Sequence, residues 1–310
     1  MSTGHGAGPG DYRYCRRIAA AHGRTYFLAT RLLSADRRPA VHALYAFART
    51  VDDLVDDPNS PGEAVTALDT VEYRLRTVWS RPGDAAGPPP VGPPPPEFDR
   101  VVAPLTDTVT RFAIEPRHFW TFLDSMRMDA PESPLFRNRY PTMAALHEYM
   151  RGSAAAIGLQ LLPVLGTVCP VAEAEPAAAA LGNAFQLTNF LRDIGEDLDR
   201  DRIYLPAADL AAFGVDEALL TDGRRTGRTD RRLRRALAHL IAVNRELYRD
   251  AQPGIELLSP RVRPAIRTAA TLYAAILDRI EDSGYAVFEQ RAVVPRHRRL
   301  RLAAGAVLGG

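Results

Sequence analysis

The sequence predicts an all-α protein built as a single helical domain. From Tyr12 onward apolar residues recur every three or four positions, with few of the strict alternations that mark a strand. Clusters of proline and glycine cut the chain into segments of helical length. The glycine-rich strand–turn–helix signature of a nucleotide-binding sheet is missing, as is any repeat at a fixed period. With 310 residues, 46% of them hydrophobic and 25% charged, the chain is long enough to bury one large core.

In chain order, residues 1–10 are Gly-rich and expected to be disordered, and the domain is expected over 11–301. Pro39 opens a helix over 39–57, at a position where a missing N–H costs nothing, and Pro58, Pro61 and Gly62 stop it. A second helix covers 63–80. Residues 82–96 (PGDAAGPPPVGPPPP) are excluded from helix, because proline lacks the donor and clashes with the preceding turn. A Pro-rich surface insertion is expected there, an unconstrained loop rather than an SH3-type ligand. Further helices are expected over 98–113, 116–128, 142–166 and 173–200. A short segment follows Pro206 over 207–220, and two long helices cover 230–252 and 260–286. Residues 302–310 are small and read as a flexible tail.

Composition narrows the function classes. The net charge of +2 is too small for a nucleic-acid protein with its concentrated basic stripe. All 39 basic residues are arginine, which suits bidentate phosphate contacts but also follows from a GC-rich genome. Cys15 and Cys169 have no metal-ligand spacing and read as reduced thiols. Neither a signal-peptide h-region nor a run of ~18 apolar residues occurs. A cytoplasmic protein is expected, at most peripheral at the inner face of the membrane. Arg296, Arg298, Arg299 and Arg301 are candidates for contact with anionic lipid, although a solvated basic end is the simpler reading.

Two helices carry the chemistry. On 39–57, at 100° per residue, Val41, Leu44, Ala48, Val51 and Val55 form one apolar stripe with Asp52 in its middle. Tyr45 and Asp56 lie beside it, and Asp53 and Asp57 a quarter turn further round. A carboxylate among hydrocarbon is strongly unfavourable without a cation, and Asp56 at i+4 adds a second negative charge. A divalent metal between the two relieves both problems. Arg49 is placed to pair with either carboxylate or with an anionic ligand. The alternative, a solvated acidic helix end, opposes the helix dipole. On 173–200, Gly182, Gln186, Asn189, Asp193 and Asp197 fall 4, 3, 4 and 4 apart and make one polar stripe, flanked by Leu187, Phe190 and Ile194. Such a row of hard oxygen ligands suits Mg²⁺. Arg192 and Glu196 fall toward the other edge. Facing aspartate pairs across a helical cavity can hold metal ions around a diphosphate and stabilise it as a leaving group.

The segments HGRTYFLATRLL (22–33), ALYAFARTVDDLVDD (43–57), GNAFQLTNFLRDIGEDLDRDRIYLP (182–206) and LYAAILDRIEDSGYAVFEQRAVV (272–294) resemble the squalene/phytoene synthase family. The third is especially similar to the second aspartate signature of its phytoene synthase branch. The resemblance runs from about residue 14 to residue 301. It implies an isoprenoid (trans-prenyl diphosphate) synthase fold, a helical bundle around a central cavity. It implies Mg²⁺-dependent head-to-head condensation of two geranylgeranyl diphosphates to phytoene through a cyclopropylcarbinyl diphosphate, a prenyltransferase step of carotenoid biosynthesis. Mn²⁺ is a possible substitute, and NADPH is not expected. Carried over by motif, Asp52, Asp56, Asn189, Asp193 and Asp197 form the metal and diphosphate shell. Arg24, Thr25, Arg49, Arg192, Tyr273 and Arg291 match positions that hold diphosphates or steady the reacting carbons. Tyr45, Gln186 and Tyr204 match the chamber lining.

Two departures from the family pattern stand out. In YMRGSAAAIG (149–158), Arg151 takes the place of a frequent second tyrosine and Ala155 that of a glycine, which bears on the product. Thr25-Tyr26 replaces a frequent Ser-Phe pair and keeps a hydroxyl and an aromatic ring. The main alternative is a relative that uses C15 farnesyl diphosphate and makes squalene, dehydrosqualene or presqualene diphosphate. Squalene formation needs NADPH, and such enzymes often carry a membrane anchor. A terpene cyclase or head-to-tail elongator fits less well, because DIGED (193–197) is neither DDxxD nor an Asn/Asp-Ser-Glu triad. A non-catalytic scaffold is disfavoured by the four intact aspartates. No nucleic acid and no obligate protein partner is expected.

Overall fold

A computed structural model describes residues 7–56, 63–80 and 96–308. Among them the chain forms helices joined by short loops, with two isolated β-bridges and no strand, as the periodicity predicts. The first half comprises α1 (Pro9–His22), α2 (Arg24–Thr30), α3 (Arg38–Asp56), α4 (Ala64–Trp79), α5 (Pro96–Phe112), α6 (Arg117–Met128) and α7 (Met143–Met150). A π-helical turn, Arg151–Ala155, leads into α8 (Ala156–Leu165). The long α9 (Val171–Asp199) follows, then α10 (Ala207–Ala211), α11 (Glu217–Thr226) and α12 (Arg231–Ala251). A 3₁₀ segment, Gln252–Leu257, precedes α13 (Arg263–Asp282) and α14 (Arg296–Leu308).

Local chemistry fixes several ends. Thr142, Asp216 and Asp230 accept from the backbone N–H of Ala145, Leu219 and Arg232 and cap α7, α11 and α12. Gly227, at φ 71°, ends α11 in the left-handed region that favours glycine. Pro96 starts α5, where its missing N–H is harmless. The end of the expected Pro-rich insertion is therefore helical, while 81–95 lie outside the described residues.

Other boundaries also differ from expectation. Helix α1 begins at Pro9, inside the stretch expected to be disordered, with Gly8 at its N-cap. Helix α14 occupies 302–308, where a flexible tail is expected. The helix expected over 142–166 is three pieces, because the π turn breaks its register. The segment over 207–220 is α10 followed by the start of a separate helix, α11.

Two packed cores flank α9 and α3. One joins α1, α3, α5, α6 and α8, with Phe47 against Phe98, Phe119 and Phe122 at 5.5–6.5 Å between ring centres. The other joins α7, α9, α11, α12 and α13 through residues such as Leu187, Leu191, Leu240, Ile241 and Leu277. Helices α8 and α9 cross almost in backbone contact. A Cβ on Gly158 would lie 2.5 Å from the Ala178 carbonyl oxygen, and one on Gly182 2.5 Å from that of Ala154. A third cluster, including Leu33, Leu162, Leu165, Ala174, Leu258 and Val262, closes the end of the bundle away from the acidic residues.

Candidate active site

Between these cores lies a cavity of about 970 Å³, lined by α2, α3, α8, α9, α13 and the chain that leads into α14. Its deep part is apolar, ending on the leucine-rich floor. Its mouth is ionic, and both aspartate helices point their carboxylates there. Asp52, Asp56, Asp193 and Asp197 all line it, and so do Gln186, Asn189, Tyr45, Arg49, Arg192, Tyr204, Tyr273 and Arg291. The side chains of Arg24 and Thr25 lie outside the described residues.

Helix α3 reaches this arrangement in a different way from the one its pattern suggests. The face buried in the core carries Ala43, Leu44, Ala46, Phe47 and Val51, whereas Val41, Ala48 and Val55 are only half-buried and line the cavity. Asp52 therefore stands among apolar side chains because that stripe is a chamber wall. Burial, with Asp56 as neighbour, pushes its carboxyl up to about 8. Asp197 is likewise pushed up to about 8, by burial and then by Asp193.

The other two aspartates are held by arginine. Asp193 accepts bidentate pairs from Arg192 (2.7 and 2.5 Å) and from Arg291 (2.8 and 2.9 Å). Asp56 pairs with Arg202 at 2.7 Å and with Arg200 at 3.7 Å. Arg49 pairs with Asp53 on its own helix, rather than with Asp52 or Asp56 as the spacing allowed. Arg192 and Glu196, expected toward the far edge of α9, line the cavity too.

Sequence reasoning missed the layer beneath the mouth. Asp129, 3% exposed at the end of α6, accepts the hydroxyls of Tyr149 at 2.5 Å and Tyr204 at 2.9 Å. Burial raises its carboxyl to about 6, against the opposing pull of Arg202. Arg202 also donates to the carbonyls of Val55 (3.0 Å) and Asp129 (3.2 Å), so it caps the C-terminal ends of α3 and α6. The left-handed turn at Asp201 (φ 56°) throws Arg202 back toward the mouth, and Asn138 and Arg139 hold Asp201 in place. The RIYLP end (202–206) of the second signature was the available signal for Arg202. Asp129 carried none.

Below the ions stands an aromatic wall. Tyr273 packs on Tyr26 at 4.7 Å and on Phe185 at 4.6 Å, and Tyr45 approaches Tyr26 at 6.3 Å. Tyr204 stacks on Phe190 at 4.2 Å, with its hydroxyl committed to Asp129. Arg151 takes no part: it is exposed on the π turn and is not in the lining. Tyr149, two residues before it, supplies the buried hydroxyl instead.

The donor set suits a divalent cation. Asn189 Oδ1 is buried without a hydrogen-bond partner, and burial together with a neighbouring carboxylate raises Asp52 and Asp197. Among the described residues, however, no three acidic, histidine or cysteine side chains converge as a ready-made metal cage. Asp52, Asp197 and Asn189 nonetheless offer oxygen donors of the hard kind that Mg²⁺ prefers.

A helical bundle with an ionic mouth over a deep apolar chamber defines an enzyme for a substrate with a charged head and a long hydrocarbon tail. The squalene/phytoene synthase family model matches residues 19–298, and the chain belongs to that family of prenyltransferases. It is 37% identical to a phytoene synthase from Arthrospira platensis, over 94% of this chain and 90% of the relative. It is 36% identical to a 15-cis-phytoene synthase from Synechococcus elongatus, over 93% and 90%. A crystal structure of a dehydrosqualene synthase in complex with ligand superposes with a TM-score of 0.79, at 27% identity, covering 96% of this chain and 95% of that one. The fold is thus the isoprenoid synthase fold that the resemblance implied.

Proposed function

We propose that this protein joins two molecules of geranylgeranyl diphosphate head to head, through a cyclopropylcarbinyl diphosphate, to give phytoene with release of two diphosphates and two protons. One observation carries the proposal: two aspartate helices and a ring of arginines meet at the mouth of a single apolar chamber of about 970 Å³. Identity of 36–37% to phytoene synthases over most of both chains supports the C20 substrate. Asp52, Asp56, Asn189, Asp193 and Asp197 would hold Mg²⁺, which supplies Lewis-acid stabilisation of the departing diphosphate. Arg192, Arg291 and Arg49 and, by the family motif, Arg24 and Thr25 would hold the diphosphates. Tyr26, Phe185 and Tyr273 would present ring faces to the allylic cation and keep water from it.

The C15 reading rests on the likeness to a dehydrosqualene synthase. Incubation with geranylgeranyl diphosphate and Mg²⁺, without NADPH, decides between them by mass spectrometry. A C40 hydrocarbon is expected. Only C30 products from farnesyl diphosphate, or a strict need for NADPH, would overturn the assignment. Asp52→Asn and Asp193→Asn are expected to lose turnover with the helical circular dichroism intact.

Such substrates and products partition into lipid, so the reading includes loading from a membrane surface by a cytoplasmic enzyme. No helix among the described residues is long and apolar enough to cross a membrane. Exposed Val293 lines the cavity, and Leu300, Arg296 and Arg301 are exposed on the following α14. Arg298 is instead tied to Asp278 and Asp282, and Arg299 turns into the cavity, so the basic end is less available than the sequence suggests.

A further inference from the structure

The four mouth aspartates are not equivalent. Asp193 Oδ1 accepts from the Nε of both Arg192 and Arg291, at 2.7 and 2.8 Å. Its Oδ2 accepts from the Nη2 of both, at 2.5 and 2.9 Å. An ionised carboxylate has about four lone-pair sites, and these four bonds take them all. Among the described residues, neither the Asp52 nor the Asp197 carboxylate accepts a side-chain hydrogen bond or ion pair. No guanidinium therefore stands between an entering cation and Asp52 or Asp197, but the cation reaches Asp193 only if a guanidinium leaves.

The two guanidiniums differ in freedom. The Arg192 side chain is 15% exposed and springs from α9 next to Asp193 itself. The Arg291 side chain is 48% exposed, comes from the loop between α13 and α14, and lies 3.6 Å from Glu196. Diphosphate oxygens match the guanidinium fork at least as well as a carboxylate does, and they carry more charge. A diphosphate entering the mouth thus offers Arg291 a new partner, at the moment when a metal needs the lone pairs that Arg291 covers.

We propose that Arg291 is a latch on Asp193: it occupies the carboxylate until a diphosphate draws it off, so that metal and diphosphate each bind more tightly in the presence of the other. The proposal rests on the metal-binding reading above. Coupling between two ligands is reciprocal, so it can be read from either side. Arg291 is then a positioning residue in the ligand-free protein as well as a diphosphate contact. The latch keeps the full cation site from assembling ahead of the substrate.

Mn²⁺ binding, followed by the electron paramagnetic resonance of the free ion, tests this with and without inorganic diphosphate, corrected for the Mn–diphosphate complex in solution. In the unaltered protein diphosphate is expected to tighten Mn²⁺ binding by a factor within the ~5–150-fold range of coupled sites. In Arg291→Gln, Mn²⁺ alone should bind more tightly than it does to the unaltered protein, and the enhancement by diphosphate should shrink by at least the same factor. Arg291→Lys, which keeps the charge but loses the fork, should fall between them. Circular dichroism reports that each variant is folded. Equal Mn²⁺ affinity in Arg291→Gln, an undiminished enhancement, or a lysine variant identical to the unaltered protein would each sink the latch and leave the metal reading standing. Failure of every protein to bind Mn²⁺, with or without diphosphate, would overturn the latch and the metal reading together.

Discussion

Asp129 has two oxygens, and each accepts a buried tyrosine hydroxyl, from Tyr149 and from Tyr204. The carboxylate also faces Arg202, which in turn grips Asp56 on the opposite wall. Asp129→Ala would strand both hydroxyls, and each buried group left without a partner costs about 1–3 kcal/mol. A loss of roughly 3 kcal/mol is expected, read from urea unfolding midpoints. A shift under about 1 kcal/mol would mean that the tyrosines find other acceptors. Asp129 was not legible in the sequence, and Arg202 was legible only as part of the RIYLP end of the second signature, not as the partner of Asp56 and Asp129. Arg202 meets Asp56 across 146 residues and Asp129 across 73, and no local pattern encodes such pairings. The aspartates themselves were legible, because i, i+4 spacing is local. Which of them is free and which is held by arginine was not, since that depends on side chains from four different segments.

Periodicity located the helices but did not say what each stripe faces. On α3, the row with Asp52 looked like a core face interrupted by a charge. That row divides: Val41, Ala48 and Val55 line the chamber, while Leu44 and Val51 are buried in the core with Phe47. Apolar residues serve both roles, so spacing alone leaves them indistinguishable. The break at Arg151 was hidden for a related reason: a π turn inserts a residue without changing composition. The same stretch carries the close packing of the bundle, where Gly158 lets α8 meet α9, and Gly182 lets the π turn meet α9, backbone to backbone. Gly182→Ala would place a methyl 2.5 Å from the Ala154 carbonyl and force the helices apart. A loss of about 1–3 kcal/mol is expected, seen as a lower melting temperature and a reshaped chamber. An unchanged melting temperature would show that the crossing relaxes freely.

For the molecule as a whole, the mouth imposes a pH dependence. Asp52 and Asp197 titrate near 8 in the fold against ~3.9 in an unfolded chain. Between those values the native state holds protons that the unfolded state has released. Their contribution is thus fully present below about 4 and is lost as pH rises through 8. Burial lowers His42 to about 4, so it acts in the opposite sense, but only below its ordinary 6.5. Above that value the carboxyls act alone. The metal-free protein should therefore melt at falling temperature from about pH 6.5 to about pH 8.5, and Asp52→Asn should flatten that slope. A flat profile in the unaltered protein would show that these carboxylates are already ionised at neutral pH.

One rod spans the reaction from end to end. Helix α9, at about 1.5 Å per residue, runs some 43 Å, with Asp193 and Asp197 near one tip and Ala174 in the floor at the other. Inserting a residue between them would swing one tip about 100° and take either the carboxylates or the floor out of the chamber. Evolution therefore has little freedom to lengthen this rod in small steps. A lineage adapting to shorter or longer tails would have to do so by swapping alanine for bulkier side chains, or the reverse, along a rod of constant length.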